Sequence, residues 1–278
     1  MLKVFRLLIY YPLYTMAGGI ILLFTIIINY ILIKNSSEWA VLVLTISTLA
    51  WFYFFTSIHP QSRLHGQIIS RIEPTKNSNM NNKIAYLTFD DGPNIAFTSQ
   101  LLRILSNYGV KATFFLVGEN IMRAPDMVKR ILEEGHSIGN HSFNHSTLIL
   151  RGKRYIITQV EKCEDIIIST GGKKPYLFRF PHGFRDFRSI RIVRGLGYKI
   201  VSWSVMPMDW LSIDAEKIER YVISNTSDGD IILLHDGYEV KPAPDRSQMM
   251  KALPHIIEGL KKRGFTFKRL EDVIDSEK

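Results

Sequence analysis

The stretch Ile84-Ala85-Tyr86-Leu87-Thr88-Phe89-Asp90-Asp91-Gly92-Pro93 decides how the chain is read. Ile84–Phe89 reads as a short apolar strand, Asp90-Asp91-Gly92-Pro93 as the turn leaving it, and Ala96–Tyr108 as the amphipathic helix that follows. The pattern recurs downstream. Further strands are expected at Ala112–Val117, His136–Gly139, Tyr176–Phe180, Lys199–Val205, Asp230–Leu234 and Phe265–Lys268. Helices are expected between them at Met122–Glu134, Tyr155–Thr170, Phe187–Leu196, Asp214–Ser224 and Gln248–Arg263. Gly109, Gly135, Gly171, Gly197 and Gly264 fall where helices should end in a left-handed cap. Strand and helix alternating in this way predict an α/β fold, a parallel sheet with helices outside it. Six or seven such units in about 190 residues are enough to wrap toward a barrel, with a doubly wound open sheet as the runner-up.

Upstream the composition changes. Leu7–Ile33 contains no Lys, Arg, Asp, Glu or His, and neither does Trp39–Ile58; only Lys34-Asn35-Ser36-Ser37-Glu38 separates them. Each run is long enough for the about 20 apolar residues a bilayer-crossing helix needs. The first is too long for a signal peptide and lacks a small-residue cleavage site before the second. The expected organisation is a two-helix transmembrane hairpin in 1–58 (helices about 7–33 and 39–58), a linker at 59–82 and a catalytic domain at 83–278. The hairpin makes this a multi-pass protein of the cell membrane, with the bilayer as a partner. Lys3 and Arg6 before it, and Arg63 and Arg71 after it, outnumber Lys34 in the turn, which by the positive-inside rule puts the domain in the cytoplasm. A cell-wall substrate requires the other side, so the side stays open.

The full chain of 278 residues is 46% hydrophobic and 22% charged, which excludes a disordered protein. Its one cysteine, Cys163, excludes a disulfide scaffold or a Cys-based zinc site and reads as a packed helix position. The net charge is +9, and +7 (32 − 25) without Lys3, Arg6, Lys34 and Glu38, so the basic balance belongs mainly to the domain. That sign alone is a weak pointer to nucleic acid, and none is expected as a partner.

The reactive residue types sit where strands end: Asp90-Asp91, His141-Ser142-Phe143-Asn144-His145, Arg179-Phe180-Pro181-His182-Gly183, Asp209-Trp210 and His235-Asp236. Each has an ordinary reading by itself, as a turn, a surface cation or a histidine at a core edge. Together they fall on the one rim that parallel α/β folds use for active sites. Two neutral imidazoles and a carboxylate hold a zinc-like ion and leave a position open. Of the two adjacent aspartates, one can ligate while the other takes a proton from the attacking water. An arginine would keep that base charged, and His235 would protonate a leaving amine. Residue types alone thus point to metal-assisted amide or ester hydrolysis.

The ordered set Thr88-Phe89-Asp90-Asp91-Gly92, His141-Ser142-x-x-His145, Arg179-x-Pro181-x-Gly183, Asp209-Trp210 and Leu233-x-His235-Asp236 resembles the polysaccharide deacetylases of carbohydrate esterase family four. The resemblance spans about Lys83 to Val273 and implies a distorted (β/α) barrel. It implies Asp90 as general base, Arg179 orienting it, His235 as general acid and Asp209 tuning that acid. It implies Asp91, His141 and His145 as ligands of a divalent ion, zinc first and cobalt second. Pro181 and the backbone N–H of His182 would serve the oxyanion, and Trp210 and Leu233 the acetyl methyl group. Two positions depart from the family: His182 stands where tyrosine is common, and Met206 where an aspartate often precedes the Asp-Trp pair. The expected function is removal of the N-acetyl group from an amino sugar of a peptidoglycan-type or other glycan, with release of acetate. A deacetylase of lipid-linked amino sugars at the membrane face, and a catalytically silent carbohydrate-binding relative, are the alternatives.

Overall fold

The computed structural model describes residues 30, 38–73, 83–211, 213–241 and 244–274. After helix α1 (Glu38–Ile58), strands β1 (Lys83–Gly92), β2 (Thr113–Leu116), β3 (Ser137–Asn140), β4 (Leu177–Phe178), β5 (Lys199–Ile200), β6 (Ile231–His235) and β7 (Phe265–Phe267) form one parallel sheet. The order is β5-β4-β3-β2-β1-β6, with β7 beside the start of β1. Helices α2 (Ile95–Asn107), α3 (Gly118–Arg123), α4 (Pro125–Glu133), α5 (Lys153–Ser169), α6 (Phe187–Gly195), α7 (Ala215–Asn225) and α8 (Ser247–Lys262) connect the strands. The expected helix at Met122–Glu134 is two: Ala124 leaves helical geometry, and Pro125 opens a new first turn, where its missing N–H costs nothing. At α2, Asn94 accepts from Ala96 N at 3.0 Å and Phe97 N at 3.2 Å, a cap worth about 1 kcal/mol.

The sheet curls until its far edges meet. Beyond β5 the chain bridges β6 through Val205 and Ile232, with Leu233 N donating to Val205 O at 2.9 Å. This single irregular junction closes a distorted barrel. Because strand side chains alternate, Ala85, Leu87 and Phe89 pack outward into the helix-side core, with Ile232 and Leu234 of β6. Tyr86, Phe115, Ile231 and Leu233 face a second cluster with Trp203, Met206 and Met208. The same alternation brings Thr88 and Asp90 of β1 and His235 of β6 to the inner face, with Asp90 and His235 as register partners.

Among the described residues, no helix is long and apolar enough to cross a membrane. The hairpin is therefore not supported here. Its first expected span, about 7–33, lies outside the described residues apart from Tyr30, and in α1 side chains are described only for 42–58, short of about 20 residues. Of the stretch read as a linker, 59–73 packs against the domain. Ile69 bridges Val201, Arg71 bridges Asp230, and His65 and Ile68 are buried. Arg185, 2% exposed, ties this strap down. Its Nη2 donates to the carbonyls of His59, Pro60 and Ser62 at 2.6, 3.2 and 3.1 Å, and its Nη1 to that of Gly183 at 2.7 Å.

Candidate active site

A cleft of about 310 Å³ opens at the carboxyl ends of the strands. Asp90, Asp91, His141, His145, His182, Trp210, Leu233 and His235 line it, as the motif positions predict. Arg179 and Asp209 do not line it; they stand behind Asp90 and His235 and hold them. Pro181 is buried in the 3-10 turn Pro181–Gly183. Four of the seven non-glycine residues with left-handed backbone among those described (Asp91, His145, His182 and Glu239) are at this cleft, where strain commonly accompanies function. Gly237 must lack a Cβ, because one would drive into the Asp91 carbonyl.

Arg179 is fully buried. Its Nη1 donates to Asp90 Oδ1 at 2.7 Å and Thr88 Oγ1 at 2.8 Å, and Nη2 to Ser202 O at 2.9 Å. The guanidinium stacks 4.0 Å over the Phe115 ring. Asp90 is thereby fixed through Oδ1, and its Oδ2 lies 3.5 Å from His141 Nε2.

Asp91 Oδ1, His141 Nε2 and His145 Nε2 form a triangle with edges of 3.0, 3.2 and 3.5 Å. Ligand atoms about 2.0–2.1 Å from a tetrahedral zinc stand about 3.3 Å apart, so the triangle has the size of one coordination face. Two further observations fit a cation. Asp91 Oδ1 is buried with no hydrogen-bond partner, while Oδ2 accepts from Glu239 N at 2.8 Å. His141 Nδ1 meets the Arg179 carbonyl at 2.8 Å, which fixes a proton there and leaves the Nε2 lone pair for a ligand. Burial alone would raise the Asp91 carboxyl; the His145 and His141 imidazoles outweigh it and hold the group well below the usual carboxylate range.

His235 accepts no charge by accident. Burial pushes its imidazole toward the neutral form, but Asp209, bonded to Nδ1 at 2.8 Å, and then Asp91 and Asp90 raise it above its ordinary value. Asp209 also receives His235 N at 2.8 Å through its second oxygen. With Nδ1 committed, Nε2 is the nitrogen left for chemistry. The Trp210 ring meets the His235 ring edge-on at 4.9 Å. Met206, where the family often has a carboxylate, is buried in the inner apolar cluster and forms cleft wall beside Trp203 and Leu233.

Two participants escaped the sequence reading. Arg246 Nη1 donates to the Asp209 carbonyl at 3.3 Å. Asn120 Nδ2 bonds the carbonyls of Asp91 at 2.8 Å and Glu239 at 2.6 Å, and so braces the two loops. Both lie outside the motifs, and Asn120 reaches the site loops through their backbone carbonyls, which leaves no residue-type signal. Cys163 is buried with its thiol pushed up to about 12, mainly by desolvation, as a packing residue should be.

The polysaccharide deacetylase family model matches residues 77–201. A peptidoglycan-N-acetylglucosamine deacetylase of Bacillus cereus is 37% identical over 207 residues, covering 70% of this chain and 89% of that protein. A chitooligosaccharide deacetylase of Azorhizobium caulinodans is 34% identical over 199 residues, covering 68% of this chain and 94% of the relative. A solved peptidoglycan N-acetylglucosamine deacetylase, in complex with an N-oxidanyl-benzamide, superposes with a TM-score of 0.67 at 35% identity, over 72% of this chain and 92% of its own. Sequence, sheet and cleft agree, and the chain belongs to the polysaccharide deacetylases, the hydrolases of carbohydrate esterase family four.

Proposed function

We propose that this chain removes the acetyl group from N-acetylglucosamine units of peptidoglycan or a chitin-type glycan, and that Asp91, His141 and His145 hold a divalent ion, zinc before cobalt. The observation that carries the reading is the pairing of Asp90 with His235 across β1 and β6, beside a triangle of ligand atoms of zinc dimensions. A bound ion supplies Lewis acidity, which eases deprotonation of water and polarises the acetyl carbonyl.

The protein groups divide the remaining work. Asp90, aimed by Arg179 through Oδ1, takes the proton of the attacking water at Oδ2. The backbone N–H of His182 donates to the oxygen that becomes negative as the carbonyl carbon turns tetrahedral. His235 Nε2 gives its proton to the sugar nitrogen as the C–N bond breaks, so acetate and a free amine leave together. Asp209 keeps that imidazole protonated and oriented. Trp210, Leu233 and Met206 wall the methyl group with apolar surface, which excludes water from the reacting carbon.

The deciding experiment is acetate release from N-acetylglucosamine oligomers and from peptidoglycan. Asp90→Asn and His141→Ala should each lower it by about 10³-fold or more, and chelation should do so reversibly. Wild-type turnover in either variant refutes the mechanism, and no turnover in the wild type favours a silent binding domain.

We also propose that the chain is held at the cell membrane by the N-terminal hairpin. The apolar surface of α1 supports this: Leu42, Val43, Ile46, Leu49 and Phe54 are all exposed, a pattern that suits lipid better than water. The basic residues flanking the expected spans favour a second reading, a cytoplasmic domain acting on lipid-linked amino sugars. Protease access to a C-terminal tag in intact cells separates the two sides.

A further inference from the structure

We propose that His145, His182 and Glu239 form a second divalent-cation position beside the Asp91–His141–His145 triangle, with His145 shared between the two. One ligand atom from each of the three residues lies within 4.8 Å of the others. The pivot is His145. Its Nε2 faces Asp91 Oδ1 and His141 Nε2, whereas its Nδ1 is buried without a hydrogen-bond partner. His141 shows what is missing: its own Nδ1 is engaged by a carbonyl at 2.8 Å. The second nitrogen of a ligating imidazole is normally engaged in this way, and a cation at Nδ1 would fill that role in His145.

The neighbours are suited to it. The His182 ring stands edge-on to His145, with centroids 4.5 Å apart. Glu239 is tied to the first site, because its backbone N–H donates to Asp91 Oδ2. Two imidazole nitrogens and one carboxylate oxygen suit a borderline ion such as Zn²⁺ or Co²⁺ better than Mg²⁺ or Ca²⁺. The atoms lie within 4.8 Å of one another, against about 3.3 Å between tetrahedral zinc ligands, so the side chains close by about 1.5 Å at most on binding. His182 and Glu239 are only half-buried, at the open side of the cleft. Binding displaces the Nδ1 proton to solvent. Because both residues line the cleft, an ion there sits in the path of the glycan and makes excess zinc an inhibitor. The tyrosine common at position 182 in the family offers no such nitrogen.

The inference rests on the triangle holding the first ion, and the test separates the two. Metal-free full-length protein is titrated with zinc chloride by calorimetry, and bound zinc is counted by mass spectrometry after free ion is removed. Two classes are expected, one tight and one weaker, with one ion per chain in each. His182→Tyr and Glu239→Gln should each weaken the second class by tenfold or more and spare the first, whereas His141→Ala should lose the first. A single ion per wild-type chain, or a weaker class unchanged in both variants, overturns the second position. Absence of the tight class from the wild type, or its survival in His141→Ala, overturns the triangle reading and this inference with it.

Discussion

The two ends of the sheet treat a buried histidine in opposite ways. At the carboxyl ends of the strands, His235 lies among Asp209, Asp91 and Asp90, and these raise its imidazole against the desolvation that opposes it. At the amino ends, His136 precedes β3 with Lys111 and Arg269 near it, and burial and those cations together lower it to about 4. His136 Nδ1 accepts from Ala112 N at 3.1 Å and its ring packs edge-on to Phe114, so the neutral form is built into the turn. Burial alone makes an imidazole neutral; charge around it decides whether it can serve as an acid. The far end uses its histidine for packing, and the cleft end surrounds the same residue type with buried carboxylates. The arginines divide similarly. Arg179 is spent on the cleft carboxylate Asp90, and Arg185 on four backbone carbonyls of the strap and its own turn.

The largest expected effect comes from removing the charge that stands behind the base. Arg179→Met leaves Asp90 without its closest donor and should lower kcat/KM by about 10³-fold or more, as acetate release would show. It should also cost about 3 kcal/mol in denaturant stability, because a buried carboxylate loses its partner. Arg179→Lys should recover part of the stability and little of the rate, since one ammonium cannot span Asp90, Thr88 and the Ser202 carbonyl. A smaller effect is expected at the acid. Asp209→Asn still accepts from His235 but removes the charge that raises it, while the desolvation stays. If His235 is the acid proposed above it must be protonated to act, so the alkaline limb of kcat against pH should move to lower pH, and kcat should fall by roughly 10- to 100-fold. An alkaline limb that stays in place breaks the contrast between the two ends.

What was legible in the sequence is what side-chain type and spacing encode. The outward Leu87 and Phe89 and the inward Thr88 and Asp90 follow from strand alternation, and the five polar clusters declare themselves by falling at strand exits. Backbone-directed contacts were not legible. The strap at 59–73 looks like a polar linker because part of what holds it is its own carbonyls, met by Arg185, and no residue pattern announces a carbonyl. The closing junction at Val205 was absorbed into a longer expected strand, Lys199–Val205, although only Lys199 and Ile200 pair as β5. Glu239 joins the site through loop geometry and Asn120 through backbone carbonyls reached from α3, neither of which composition fixes.

The smallest expected effect tests the amino-terminal end of the comparison. His136 ionises at about 4 in the folded chain and near 6.5 when exposed. Between those values the unfolded state binds a proton that the folded state refuses, so the stability His136 contributes at neutral pH is lost as pH falls from 6.5 to 4. A difference of that size amounts to about 3 kcal/mol at most. His136→Gln keeps an acceptor for Ala112 N and cannot titrate. Its unfolding free energy in urea should therefore fall less steeply than that of the wild type between pH 7 and 4.5. Other acid-sensitive groups, Asp91 among them, act equally on both proteins and cancel in the difference. Acetate release at pH 7 should be unchanged, because His136 stands at the opposite end of the sheet from the cleft. Parallel stability curves for the two proteins would mean that His136 is not held neutral, and the opposition between the two ends would fail at its simpler member.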